Sequence, residues 1–246
     1  MSSAVTAFYF DLASPFAYLA CERALHVLAR PRPSGCAPAG RGASVPVPWQ
    51  PVLACALQGA CALQGASALQ GASALQGARE LPGGEALASS PSAREADALR
   101  EDVERRACEL GLPALRWPEP FPFDSSLAMR VAIYAKSIGR GVPFAQAAFR
   151  QAFAGGHSLE DPDYVLIAAA ACEMHPMAVL RAAETRSVAQ ELARATGAAA
   201  AAGVREVPAV LACVRPDGDG DGRRVFCGER ELDRAGEYLR AMTAAG

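Results

Sequence analysis

The chain has 246 residues, of which 51% are hydrophobic and 20% charged, and its formal net charge is −2. That length can bury a full core in one domain, or in one domain carrying a large insertion, and the composition is that of a globular protein. The near-neutral charge supplies no pull toward nucleic acid or an anionic membrane, and no finger, basic-helix or RNA-binding motif is present.

Residues 5–10 are rich in β-branched and aromatic side chains and read as a strand that ends at Asp11. Ser14 and Pro15 follow. Proline suits the first position of a helix, which makes Ser14 the N-cap of a helix running to about Ala29. Tyr18, Leu19, Leu25 and Leu28 recur at roughly helical spacing along it. Two roles for Ser14 remain open on these residues. It is either a cap alone, or a cap that also holds an anion or thiolate at a helix N-terminus.

No basic residue precedes Asp11, so the start does not read as a secretory signal, and the end carries no recognised targeting signal; a cytoplasmic protein is expected, with an organellar location left open. Residues 31–44 are Pro-, Gly- and Arg-rich and read as a loop. Residues 45–49 read as a short strand whose prolines confine it to a sheet edge. Residues 42–78 carry no charge, but three prolines and recurring Gln-Gly pairs argue against a membrane span.

CALQGA, CALQGA, SALQGA and SALQGA occupy residues 55–78. Six helical steps turn about 600°, so successive leucines do not share a face, and each glycine weakens a helix by about 1 kcal/mol. The segment reads as an inserted low-complexity stretch. A helix rich in Glu and Arg then runs from Ser92 to a stop at Gly111. Asp124 or Ser125 caps the next, which ends near Ser137. Helices at 143–154, 162–173, 176–183 and 185–195 follow. Residues 207–214 and 223–226 read as a hairpin around DGDGDG, and residues 231–242 close the chain as a helix. DGDGDG between strands lacks the helices and terminal Glu of an EF-hand, so a turn is expected there.

The eight cysteines show neither C-x-x-C nor zinc spacing with the three histidines, so free thiols and no metal site are expected. Without the helical middle, a small α/β unit with four strands remains, which is the thioredoxin plan. The expected division is a thioredoxin-like domain at 1–51 and 184–246, and an all-helical insertion at 52–183 that includes the repeat.

FYFDLASPFAYLA, VPVPWQPVL, ELGLP, FPFDSSLAMR and GVREVP, in this order, resemble the 2-hydroxychromene-2-carboxylate isomerase family. Its members are relatives of kappa-class glutathione transferases within the DsbA-like group. The resemblance covers most of the chain outside 31–44 and the repeat. It implies a DsbA-like thioredoxin fold, glutathione as cofactor, and cis–trans isomerisation of an aromatic-degradation intermediate such as a dienyl pyruvate. Ser14 stands where the family holds the glutathione sulfur as thiolate. The resemblance further implies a cis-proline at Pro208, with the main chain of Val207 beside it pairing with glutathione. Trp49, Glu229 and Arg230 stand at further glutathione positions, Asp124 and Ser125 at substrate positions, and a homodimer is implied.

Ser14 and Ala17 replace both cysteines of the thiol oxidoreductases of this fold. The chain also departs from the isomerase pattern. Gln50 stands where the family has Arg, Asp124 where it has Asn, and no Asn occurs anywhere. Lys136 is the only lysine, and the acid of the family's G-x-D-R is displaced by one in Gly228-Glu229-Arg230-Glu231. Two other readings stay open: a kappa-like glutathione transferase, and a non-catalytic binding protein on the same fold.

Overall fold

The structure is a computed structural model that describes residues 6–29, 47–57, 93–213 and 223–244. The expected loop at 31–44, most of the hexapeptide repeat and the DGDGDG turn lie outside the described residues. The elements in order are β1 (Ala7–Phe10), α1 (Pro15–Val27), β2 (Trp49–Pro51), α2 (Ala93–Glu109), α3 (Ser126–Ser137), α4 (Gly141–Phe153), α5 (Pro162–Ala170), α6 (Pro176–Glu184) and α7 (Arg186–Ala201). They continue with β3 (Ala209–Cys213), β4 (Arg223–Cys227), a 3-10 turn (Glu229–Glu231) and α8 (Leu232–Ala244).

The four strands form one sheet in the order β2-β1-β3-β4. β1 is parallel to β2 and antiparallel to β3, which pairs antiparallel with β4. This is the thioredoxin-like α/β architecture with a large helical insertion that the element order predicts. β2 is an edge strand, as its prolines require, but it begins at Trp49 rather than Val45. Pro48 still contributes its carbonyl, which accepts from Phe8 N at 2.9 Å.

Period-2 alternation sends β1 side chains to opposite sides of the sheet. Phe8 and Phe10 face one core together with Trp49, α1 and α4. Ala7 and Tyr9 face the other, against Ala199 and Ala200 of α7. Phe10 and Tyr18 pack on Phe149 of α4, with ring centroids 5.8 and 6.3 Å apart. The 52–183 segment therefore shares its apolar core with the sheet.

Two helices end differently from the sequence expectation. α5 stops at Ala170 because a turn closes there: Met174 N bonds to Ala169 O at 3.1 Å, and Glu173 sits at φ +60°. α7 runs on to Ala201, since the alanine run offers no reason to stop. Against α1, α8 approaches so closely that a Cβ on Gly236 would lie 2.3 Å from the Val27 carbonyl oxygen. No described helix is long and apolar enough to cross a membrane.

Candidate functional site

The first turn of α1 meets the start of β3 at the C-terminal end of β1, where ligands bind in open α/β sheets. Ser14 is the N-cap, with extended backbone, and its Oγ accepts from Ala17 N at 3.2 Å. The hydroxyl's own proton points toward Val207 O at 3.5 Å, the outer limit of a hydrogen bond. The Phe16 N–H is one of the orphan donors of a helix start. The Val207–Pro208 bond is cis, as the resemblance implies.

Beside this turn lies an open pocket of about 280 Å³. Phe16, Val207, Pro208 and Gly228 form its apolar and main-chain wall, and Asp102, Glu206 and Arg230 are among the charged groups lining it. Gly228 takes φ +90° and donates from its N–H to Pro208 O at 2.8 Å, which seats the 3-10 turn against β3. Of the residues singled out in the sequence, Val207, Pro208, Glu229 and Arg230 line this pocket, and Ser14 lies next to it through its contact with Val207 O.

The others do not line this pocket. Trp49 is core, 4% exposed, with its ring edge-on to Phe8 and Phe10 at 5.1 and 5.9 Å. Its indole faces the apolar side of the sheet because it pairs in register with Phe8. Ser125 is also buried, near Asp11 and outside the pocket lining. Asp124 is exposed and accepts from Ser126 N at 2.8 Å, so it, rather than the Ser125 side chain, caps α3. Glu229 does line the pocket, yet its carboxylate is already engaged. Oε1 accepts from Arg23 at 2.8 Å and Oε2 from Arg106 at 2.7 Å. The missing family arginine at Gln50 has a partial counterpart: Lys136 Nζ donates to Gln50 Oε1.

Sequence reasoning missed Asp102 and Glu206, which no local pattern marks, and Arg106, which reads as one more charge on a solvated helix. It also passed over Asp11, although an acid closing an apolar strand is a readable signal. Asp11 is 3% exposed, and burial raises its carboxyl above the ordinary range, against hydrogen bonds from Ala13 and Ala54 and the nearby Ser125 hydroxyl, which favour the anion. Cys21, one turn beyond Ala17, is fully buried, and desolvation pushes its thiol well up. It is therefore a poor substitute for the absent redox cysteines. Among the described residues no group of His, Cys, Asp and Glu has metal-site geometry, and Cys21, Cys55, Cys108, Cys172 and Cys227 are free thiols.

The arrangement presents a hydroxyl and a helix start to a small anionic atom, with mixed charge a few residues away. A family model described as a DSBA-like thioredoxin domain matches residues 5–240. The sequence has no significant match among curated proteins. Among solved structures, the chain is similar to a 2-hydroxychromene-2-carboxylate isomerase, with 16% identity and a TM-score of 0.65 over 96% of this chain and 94% of that one. It is also similar to a probable DsbA oxidoreductase from Streptomyces coelicolor, at 18% identity and TM-score 0.60, covering 95% and 87% of the two chains. A third similar structure is the cytosolic disulfide reductase DsbM from Pseudomonas aeruginosa, at 13% identity, TM-score 0.53 and 98% coverage of each chain. At these identities the likeness is one of fold.

Proposed function

This chain belongs to the DSBA-like thioredoxin domain family, and from that premise we propose that it is a glutathione-dependent cis–trans isomerase of the 2-hydroxychromene-2-carboxylate type. The observation that carries the reading is the state of Ser14. Its oxygen is used by the Ala17 N–H, while its proton has only the 3.5 Å contact to Val207 O. That proton is free to turn to an incoming sulfur anion.

The residues present fit glutathione. Its thiol, once ionised, supplies a nucleophile that adds to a conjugated double bond and later departs. The Ser14 hydroxyl would donate to the sulfur and lower the proton affinity of the thiol, with the helix start acting in the same direction. The main chain of Val207, beside the cis-proline in the pocket wall, would pair with glutathione as an added strand does. Arg230, whose side chain is 60% exposed, offers a guanidinium to a carboxylate. Exposed Glu206 offers a carboxylate to an ammonium. Glu229 serves indirectly, by holding the pocket wall. Serine and alanine in place of both redox cysteines weigh against disulfide exchange as the activity.

Calorimetric titration with glutathione, for wild type and Ser14→Ala, tests the reading. Saturable binding that the substitution weakens supports it, and no binding at millimolar glutathione overturns it. Product mass then tests the reaction: an isomer keeps the mass of a dienyl-pyruvate substrate, whereas a conjugate carrying added glutathione would replace isomerisation by transfer.

A further inference from the structure

Ser14 can bias a sulfur only if its hydroxyl is held still, and residues 11–14 have no strand or helix of their own to fix them. Four hydrogen bonds do so. Ser14 N bonds to Asp11 O at 3.0 Å, and Leu12 N to Met129 Sδ of α3 at 3.3 Å. The other two end on one carboxylate. Asp11 Oδ1 accepts from Ala13 N at 3.0 Å, and Asp11 Oδ2 from Ala54 N at 2.8 Å. The Ser125 hydroxyl, at the start of α3, lies close enough to favour the Asp11 anion.

Asp11 thus meets three segments at the C-terminal end of the sheet: its own turn, the stretch after β2 and the start of α3. The stretch after β2 is fixed on its other side by Thr196 of α7, whose Oγ1 accepts from Leu53 N at 3.1 Å. A buried carboxylate is a costly way to satisfy two amides unless their positions matter, since a buried charge needs every one of its partners.

We propose that Asp11 is a positioning residue, which sets the place and direction of the Ser14 hydroxyl by anchoring the β1–α1 turn to the Ala54 amide, with the Ser125 hydroxyl nearby. The inference rests on the reading of Ser14 as the group that receives the sulfur. Asp11 does not touch the sulfur itself. It is separated from it by the turn, and it acts by keeping Ser14 Oγ within reach of both Ala17 N and the pocket.

The test uses the full chain with Asp11→Ala, Asp11→Asn and Ser125→Ala, and reads two quantities. The first needs no glutathione: amide hydrogen exchange of peptides covering 11–20 and 53–57, with β3 as internal control. The second is the ultraviolet absorbance of bound glutathione as thiolate. Asp11→Ala is expected to speed exchange in the two segments at least tenfold while β3 stays within twofold, and to reduce the thiolate signal to that of Ser14→Ala. Asp11→Asn keeps an acceptor for one amide and is expected to restore at least half of that signal, a rescue that loss of stability alone would not give.

Should Asp11→Ala fail to fold, Asp11→Asn and Ser125→Ala carry the test with smaller shifts in the same segments. Exchange unchanged in every folded variant overturns the inference, as does a full thiolate signal from a loosened turn. If wild type binds no glutathione, the reading of Ser14 fails by itself. Unchanged exchange in the variants would then also overturn the anchoring by Asp11.

Discussion

Arg106 of α2 and Glu229 of the 3-10 turn are joined at 2.7 Å beside the candidate pocket that Glu229 lines, and the Glu229 side chain is only 1% exposed. Arg23 of α1 completes the cluster at 2.8 Å. Each arginine has a further acidic partner, Asp233 for Arg23 and Glu109 for Arg106, so neither is orphaned if Glu229 is lost. Glu229→Gln is expected to cost about 3 kcal/mol, the lower end for a broken buried pair. The same change loosens the wall that carries Arg230. Urea denaturation checks the first point, and a loss below about 1 kcal/mol would show that the cluster is as weak as a surface pair.

Gly236 and Val27 give a second prediction. Gly236→Ala places a methyl group 2.3 Å from the Val27 carbonyl oxygen, a backbone atom that has no rotamer to retreat into. Arg240 donates to the same carbonyl at 2.9 Å and ties the end of α1 to α8. The substitution is expected to destabilise by about 1–3 kcal/mol, although alanine favours a helix over glycine by about 1 kcal/mol. A thermal melt at or above that of wild type would show that α8 moves away at no cost.

Trp49 separates a core role from a ligand role. Its indole is sandwiched in the aromatic cluster of Phe8 and Phe10. Trp49→Ala is therefore expected to cost about 3–5 kcal/mol of stability. The milder Trp49→Phe is expected to leave glutathione affinity within twofold. Fluorescence-monitored unfolding and calorimetry read the two separately, and a large affinity loss in a stable Trp49→Phe protein would return the residue to the site.

These residues also show where the sequence is legible. The Ser14-Pro15 step announces a strand, a cap and a helix because each residue type has one favourable place there, and the structure has all three. The proline-rich run around Trp49 announces an edge strand for the same reason. Trp49 itself misleads, since a tryptophan in a motif looks the same whether its ring faces a ligand or a core. Only the register opposite Phe8 decides. The pairing of Glu229 with Arg23 and Arg106 is hidden for a different reason: its partners lie 206 and 123 residues away in the chain. No periodicity encodes such a distance.

Asp11 predicts a pH dependence whose sign is opposite to that of most carboxylates. Burial raises its carboxyl above the ordinary value of about 3.9, with Asp124 adding a smaller push in the same direction. The folded state therefore holds this proton more tightly than the unfolded chain does. Between the ordinary and the raised value, the contribution of Asp11 to stability falls as pH rises, and it is constant outside that window. Asp11→Asn has no such proton. The stability of wild type relative to Asp11→Asn is expected to decline as pH increases from about 4 and then to level off. A series of urea melts on the two proteins checks this, and a difference that grows with pH would mean the hydrogen bonds from Ala13 and Ala54, with the nearby Ser125 hydroxyl, outweigh burial.

Ser14 has two jobs, and they fail by different amounts. As the cap it accepts from Ala17 N at 3.2 Å, so Ser14→Ala is expected to cost about 1 kcal/mol of stability. As a donor to sulfur it contributes a hydrogen bond to a charged group, worth about 1.5–3 kcal/mol, so turnover is expected to fall about 10- to 150-fold in a protein that still folds. Ser14→Thr keeps the hydroxyl and the cap, with a methyl group added beside Val207. It is expected to retain most of the stability and to recover part of the turnover. Steady-state rates with a dienyl-pyruvate substrate, set against thermal melts of the same three proteins, separate the two jobs. A Ser14→Ala protein that loses stability but turns over at the wild-type rate would leave Ser14 a cap and nothing more.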